Sequence, residues 1–369
     1  MKNRTPAEAG SSNAVRLSAK EWVAALLIVA AASYALPHLW ETREVFSPGP
    51  DFRVPDRLSE DYWVFRRYSS ITSDQGKTLV LGDSVVWGGY VPNRQTLTHY
   101  LNQRAGGYRF ANLGVNGAHP LALAGLIEYY GGAVKNRDVI LHLNLSWLSS
   151  READLQADKE TRFNHPRLVP QFAPWIRCYT EPVSGRLGVV VERSLPAFSW
   201  ARHLSSVYFD NLGLQEWSMQ NPYAGVFRRA ALDPTRIEDD PHPNAQPWAA
   251  GGRKGRAIPW VDADTSRQWS AFRRLTALLR ARGNRLLVVI GALNEHMMDG
   301  DSLVKYRRIR ERARVWLEEN AVPFHTATLL PSDLYADLSH PLDKGYELLA
   351  REIAERGAPR AGMPMSAPD

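Results

Sequence analysis

Nineteen consecutive residues, Trp22 to Trp40 (WVAALLIVAAASYALPHLW), carry no Asp, Glu, Lys or Arg. About 20 apolar residues are needed to cross a hydrocarbon core of ~30 Å, and tryptophans favour the two membrane interfaces. The run therefore reads as a membrane-spanning helix that places the bulk of the chain on one side. Ser33-Tyr34-Ala35 offers a small-x-small site, so a cleaved leader is the second reading; the long segment before the run favours an uncleaved anchor. A buried globular helix is the third reading, and the distance in sequence from any partner element argues against it. Lys2, Arg4, Arg16 and Lys20 precede the run, and Arg43, Arg53 and Arg57 follow it. That excess of positive charge, with Arg16 and Lys20 closest to the membrane, puts the amino end inside. The expected topology is single-pass in the inner (cytoplasmic) membrane: tail 1–21 inside, span 22–40, and the remainder periplasmic or otherwise extracytoplasmic.

Composition adds exclusions. With 44% hydrophobic and 23% charged residues the chain has the makings of a globular core, which rules out rods and wholesale disorder. Its one cysteine, Cys178, cannot form an internal disulfide framework or a Cys-based zinc cluster. Forty-five basic residues stand against 39 acidic ones, a net charge of +6, without a dense Lys/Arg stripe interleaved with aromatics. Nucleic acid is not an expected partner.

Residues 41–75, with Pro48, Gly49, Pro50 and Pro55 among charges, read as a stalk leading into a short helix around 61–68. A regular alternation follows. Apolar runs at 77–82, 108–113, 138–145, 285–291 and 322–325 read as strands. Helical spacing appears at 95–104, 121–133, 267–282, 302–319 and 343–355. Strands alternating with helices imply right-handed βαβ crossovers, hence an α/β fold with a doubly wound, flavodoxin-like parallel sheet and helices on both faces. Its two parts are expected at 76–150 and 267–356. Residues 151–266 break the rhythm, holding 11 of the 24 prolines and five of the 12 tryptophans. A structureless loop of that length does not suit a compact domain, so an inserted cap or subdomain is expected. Residues 357–369 read as a flexible tail.

Two strings carry chemistry. Gly82-Asp83-Ser84 ends the first strand, at the carboxyl edge where open α/β sheets place their sites. Asp337-Leu338-Ser339-His340-Pro341 lies between the last strand and the last helix, at the same edge, with Pro341 suited to the helix's first turn. Asp and His three residues apart let the carboxylate accept from Nδ1–H, which frees Nε2 to take a proton from Ser84. Either string alone is an ordinary turn; their positions in one sheet make a Ser84–His340–Asp337 triad.

With these two blocks the sequence resembles the SGNH/GDSL hydrolase superfamily. The second block, Asn112-Leu113-Gly114-Val115-Asn116-Gly117, supplies Gly117 as the match for the family glycine. The third departs from the family's G-x-N-D, reading Leu143-Asn144-Leu145-Ser146-Trp147. Either Ser146 or, if the register shifts by two, Asn144 stands where the family has its asparagine. The resemblance implies an oxyanion hole formed by the Ser84 and Gly117 N–H groups with that third side chain. Loss of one such donor costs ~2.7–4 kcal/mol of transition-state stabilisation.

The resemblance also implies an acyl esterase or O-acyltransferase, with acetyl the default group, acting on an envelope or exported polysaccharide without a cofactor or metal. Expected partners are the acylated glycan or acyl donor, the membrane through residues 22–40, and a membrane acyltransferase or polysaccharide export machinery. The rival reading is a non-catalytic accessory protein of the same fold that binds a polysaccharide or a membrane partner; the altered third block favours it. Tryptophans and arginines of the insert could hold sugars or acidic groups, although core packing is the simpler role. Among the remaining residues, His142 reads as a satisfied core histidine, and Asp239-Asp240-Pro241-His242 as a solvated loop rather than a metal cluster. His99, His119 and His203 have no partner spacing, with His119 near enough to Gly117 to line a pocket.

Overall fold

A computed structural model describes residues 17–223, 233–237, 245–251 and 255–355. The Asp239–His242 string lies outside them, as do most of the expected tails. The elements in chain order are α1 (Ala19–Arg43), α2 (Tyr62–Asp74), β1 (Thr78–Gly82), α3 (Ser84–Trp87), α4 (Leu97–Arg104), β2 (Phe110–Gly114), α5 (Pro120–Tyr129) and β3 (Asp138–Leu143). Helices α6 (Val183–Ser194), α7 (Pro196–Tyr208) and α8 (Leu214–Gln220) follow. The chain closes with α9 (Arg267–Ala281), β4 (Arg285–Ile290), α10 (Gly300–Glu319), β5 (Phe324–Thr326) and α11 (Asp343–Glu355).

Among the described residues there are five strands, all parallel, in the order β2-β1-β3-β4-β5. Their apolar runs follow from burial on both faces, since each strand sends alternate side chains to opposite sides. Leu79, Leu81, Val139, Leu141, Val288 and Ile290 enter one core with residues of α2, α5, α9 and α10. Val80, Ile140 and Val289 enter a second with residues of α3, α4 and α11. Side-chain caps start several helices: Thr96 on α4, His119 on α5, Ser266 on α9 and Asp299 on α10. Pro341 falls before α11 rather than in its first turn. It pairs in an antiparallel bridge with Tyr335, which closes the loop that carries the Asp337–His340 string.

Helix α1 is long and apolar enough to cross a membrane, and its apolar window is almost wholly exposed. Length and composition fit both an anchor and a leader peptide. The segment after it corrects the stalk expectation: Phe52, Val54, Leu58, Tyr62, Val64, Phe65 and Tyr68 are buried in the larger core. The prolines there shape a chain that wraps onto the domain and does not extend away from it.

In the region 151–266, Leu155, Val169, Ile176, Cys178 and Tyr179 form a small core of their own with Leu121 and Ala271. Asp154 ties it to the sheet domain by accepting from the Ser266 hydroxyl and the N–H groups of Arg267 and Gln268, a carboxylate on the helix N-terminus of α9. Four of the five tryptophans pack. Trp217 and Trp248 are buried, Trp260 stacks on Tyr306 at 5.6 Å and Trp200 meets Trp40 at 6.0 Å. Trp175 alone is exposed, with the Arg186 guanidinium over its ring at 4.3 Å.

His203 of α7 overturns the expectation that it lacks partners. It is fully buried between Asp61 (Nδ1 to Oδ2, 2.8 Å), which also caps α2, and Glu44 (Nε2 to Oε1, 2.7 Å), the residue that ends α1. Arg67 and Tyr208 donate to the same Glu44 carboxylate. Burial would drive the proton off His203, but the charges and hydrogen bonds of Asp61 and Glu44 outweigh it and push the imidazole up to about 9. Burial likewise works against the Glu44 charge, and His203, Tyr208 and Arg67 overcome it to hold the carboxyl below its ordinary value.

The stabilisation from a raised histidine is fully present below its unfolded value of about 6.5 and is lost as pH rises through the folded value near 9. His203→Ala leaves two buried carboxylates facing each other and is expected to lower stability by about 3–5 kcal/mol at pH 6–7. Denaturant unfolding of the two proteins from pH 6 to 10 checks this, and the gap between them should narrow above pH 9. A gap independent of pH would mean that packing, not charge, holds this junction.

Candidate active site

Parallel pairing brings the carboxyl ends of β1, β2 and β3 and the loop after β5 to one edge, and each sequence block leaves from there. Ser84 follows Gly82 and Asp83 and opens α3. The Asp83 side chain caps that helix by accepting from Val85 N–H at 3.0 Å. Gly82 is required by space, because a Cβ there would strike Val86 and lie 3.1 Å from the His142 Cβ.

The Asp337–His340 loop is largely self-contained. Asp337 Oδ1 accepts from the N–H groups of Ser339 and His340, both at 2.9 Å, and Ala336 N–H donates to the His340 carbonyl at 2.9 Å. This fold-back brings His340 Nδ1 to 2.8 Å from Asp337 Oδ2, and His340 Nε2 reaches Ser84 Oγ at 2.8 Å. The three expected residues thus form one hydrogen-bonded chain across 256 residues of sequence. Ser84 keeps 8% of its surface and the His340 side chain 15%, so the chain is enclosed yet reachable from solvent.

Electrostatics poise the pair. Burial would raise the Asp337 carboxyl, but the His340 hydrogen bond and charge, with the two loop N–H groups, bring it down to about 2. Burial disfavours a charged His340; the hydrogen bond and charge of Asp337, then the charge of Asp83, overcome this and hold the imidazole above its ordinary value.

Among the described hydrogen bonds, neither the Ser84 nor the Gly117 N–H has a protein acceptor. Gly117 sits at φ +71°, a left-handed conformation that suits glycine. A Cβ there would run into the side-chain amide of Asn164, which comes from the 151–266 region and covers this glycine. Asn144, buried directly after β3, donates its amide to Asp83 Oδ2 at 2.6 Å, and its oxygen accepts from Ser146 N–H at 3.0 Å. The Asn144 amide is therefore engaged by a carboxylate, and Ser146 lies half-buried in the short 3-10 turn that follows.

Three further residues belong to the site. Trp147 donates its indole N–H to Asp83 Oδ2 at 2.7 Å, so Asp83 is gripped from β3 as well as capping α3. Tyr90 meets the His340 ring edge-on at 5.1 Å and bonds Asp337; burial and that carboxylate push its hydroxyl up. Gly89 leaves room for the imidazole, since a Cβ there would lie 2.9 Å from His340 Cδ2.

His142 departs from its expected role. It is buried, but its Nδ1 has no hydrogen-bond partner and lies 3.9 Å from Asp83 Oδ1. Burial pushes it down, leaving it neutral beside the site. His119 is buried too, accepting from Ala122 N–H at 3.2 Å and meeting Trp147 edge-on, so it supports the wall beneath Gly117. His99 lies on α4 and pairs with Asp51 at 2.8 Å.

No protein-family model matches the chain, and no curated protein matches it.

Because Asp337 is the leading group that raises His340, Asp337→Asn is expected to move the imidazole titration to lower pH. NMR titration of the His340 ring should give a wild-type midpoint above the usual ~6.5 and a variant midpoint below that of the wild type. Coinciding curves would show that the pair does not interact.

Proposed function

We propose that this chain is a serine-dependent acyl esterase or O-acyltransferase of SGNH/GDSL type, built on a doubly wound, flavodoxin-like sheet. We further propose that α1 anchors it in the inner membrane, with the amino end inside and the site in the periplasm or its equivalent. One observation carries the reading: Ser84, His340 and Asp337 are hydrogen-bonded in order at the carboxyl edge of the sheet, and the Ser84 and Gly117 N–H groups have no protein acceptor among the described residues. A binding module has no need of that chain.

In the proposed reaction Ser84 Oγ attacks an ester carbonyl carbon as His340 Nε2 takes the hydroxyl proton. Asp337 steadies the imidazolium. The carbonyl oxygen becomes an oxyanion, held by the Ser84 and Gly117 N–H groups. Collapse breaks the ester C–O bond, and the leaving alcohol takes the proton from His340. Water or a sugar hydroxyl, deprotonated by His340, then attacks the acyl-serine and restores Ser84 with its proton. Exclusion of water and binding of an acceptor decide between hydrolysis and transfer. The preferred substrate is an O-acetylated envelope or exported glycan. A membrane acyltransferase or export machinery is the proposed source of acyl groups or acceptor.

One observation favours the accessory reading: the third block departs from the family's G-x-N-D, and one N–H of its Asn144 amide is engaged by Asp83. A fluorophosphonate probe with mass spectrometry separates the two. The enzyme reading expects a label on Ser84 that disappears in His340→Ala; no label on the folded full-length protein favours the accessory role.

Ser84→Ala is expected to lower ester turnover by roughly 10⁴–10⁶-fold, with thermal unfolding nearly unchanged. His340 acts as a base only when neutral, and it is raised above its ordinary value. Turnover should therefore fall with decreasing pH through a midpoint above ~6.5. Gly117→Ala, which meets both the strained φ and the Asn164 amide, is expected to cut kcat more than KM. Equal turnover by wild type and Ser84→Ala would end the esterase assignment.

A further inference from the structure

We propose that the helical hairpin α6–α7 is a second membrane contact, seated in the lipid interface beside α1 on the side of the membrane that carries the globular domain. The inference rests on α1 spanning that membrane.

The first observation is where α7 lies. It packs on α1, with Trp200 6.0 Å from Trp40 and His203 bonded to Glu44. Tyr208, farther along α7, also meets Trp40 at 5.8 Å and donates to Glu44, so the contacts of α7 gather on the last turn of α1. Trp40 ends the apolar span and marks the interface. The α6–α7 hairpin is thereby held beside the level where lipid begins.

The second observation is what this hairpin shows to its surroundings. Val183, Leu187, Val190 and Val191 of α6 occupy one helical stripe and are 64%, 52%, 39% and 41% exposed; Phe198 at the start of α7 is 51% exposed. Ala201 is exposed beside them. A soluble helix turns such a stripe toward a core. Here the charged side chains are the ones turned inward. Arg186 is buried and donates to the carbonyls of Gln171, Tyr179 and Glu181. Glu192 pairs with Arg167 at 3.1 Å and with Arg202 at 3.0 Å. Arg193 donates to the carbonyls of Arg167 and Val169. From Val183 to Ala201 those three are the only charged residues, and each has its partners within the protein.

An apolar stripe facing outward, with its arginines satisfied inside, is the arrangement that suits lipid. An apolar helix face typically sinks about 5–10 Å into the headgroup and acyl boundary. The occupant is the bilayer that α1 crosses, because α1 itself sets the height of the hairpin. A hairpin held there fixes both the distance and the tilt of the domain over the membrane. It would keep the Ser84 edge at one orientation toward substrates delivered at that surface.

The test is depth-dependent quenching on the full-length protein in phosphatidylcholine–phosphatidylglycerol vesicles, with Cys178→Ala as background. A nitrobenzoxadiazole label is placed in turn by Leu187→Cys, Val190→Cys and Phe198→Cys. References are Leu27→Cys within α1 and Tyr108→Cys on the exposed α4–β2 loop. The three hairpin labels should emit blue-shifted light, with quenching by shallow doxyl lipids several-fold above that at Tyr108→Cys and weak quenching by iodide. Leu27→Cys should answer to deep doxyl lipids and Tyr108→Cys to iodide.

If Leu27→Cys is quenched by lipid while the hairpin labels answer to iodide like Tyr108→Cys, the hairpin proposal fails and the anchor stands. Hairpin labels shielded from both quenchers would mean that protein covers the stripe, which also overturns it. Absence of lipid quenching at Leu27→Cys would remove the anchor, and the proposal with it.

Discussion

Parallel pairing of all five strands is the constraint from which the candidate site follows. It sends every strand's carboxyl end to one edge, so segments far apart in sequence leave the sheet side by side. The order β2-β1-β3 places the Gly117 and Asn144 loops on either side of Ser84, and the loop after β5 returns with His340. Burial of both sheet faces makes this arrangement stiff. Leu79 and Leu81 pack into one core and Val80 into the other, so β1 cannot slide without exposing a whole row of side chains.

Asp83 converts that stiffness into a positioned serine. Its two oxygens reach α3, Asn144 and Trp147, tying the start of the serine's helix to the end of β3. The same carboxylate adds to the charge that raises His340. The third block therefore holds Asp83 in place at this site. Asn164, reaching over Gly117 from the 151–266 region, shows that this region borders the site.

A second buried charge cluster does for the end of α1 what Asp83 does for the site. Glu44, Asp61, His203, Arg67 and Tyr208 join the end of α1, the start of α2 and the middle of α7. With that junction in place, α1 continues into the folded domain instead of hanging from a stalk. The lipid contact inferred for α6–α7 is a consequence of the same geometry, since α7 is held against α1 at a fixed height.

What the sequence determined by itself was local. Buried parallel strands are short apolar runs ended by glycine or a turn, and capped helices begin at Thr96, His119, Ser266 and Asp299; the strands and the longer helices around them were therefore legible within a few residues, whereas the helices of the 151–266 region were not. The Asp337–His340 contact was legible as well, because three residues on one turn leave the two side chains few alternatives. Contacts between distant segments were decided by tertiary structure alone. Nothing in the spacing shows that His203 meets Glu44 and Asp61, 159 and 142 residues away, or that Trp147 reaches Asp83. Nor does it show that the arginines of α6 face inward while its valines face out. Periodicity tells which face of a helix is apolar. Only packing against the rest of the chain decides whether that face is covered, and this structure leaves it open beside the long apolar helix α1.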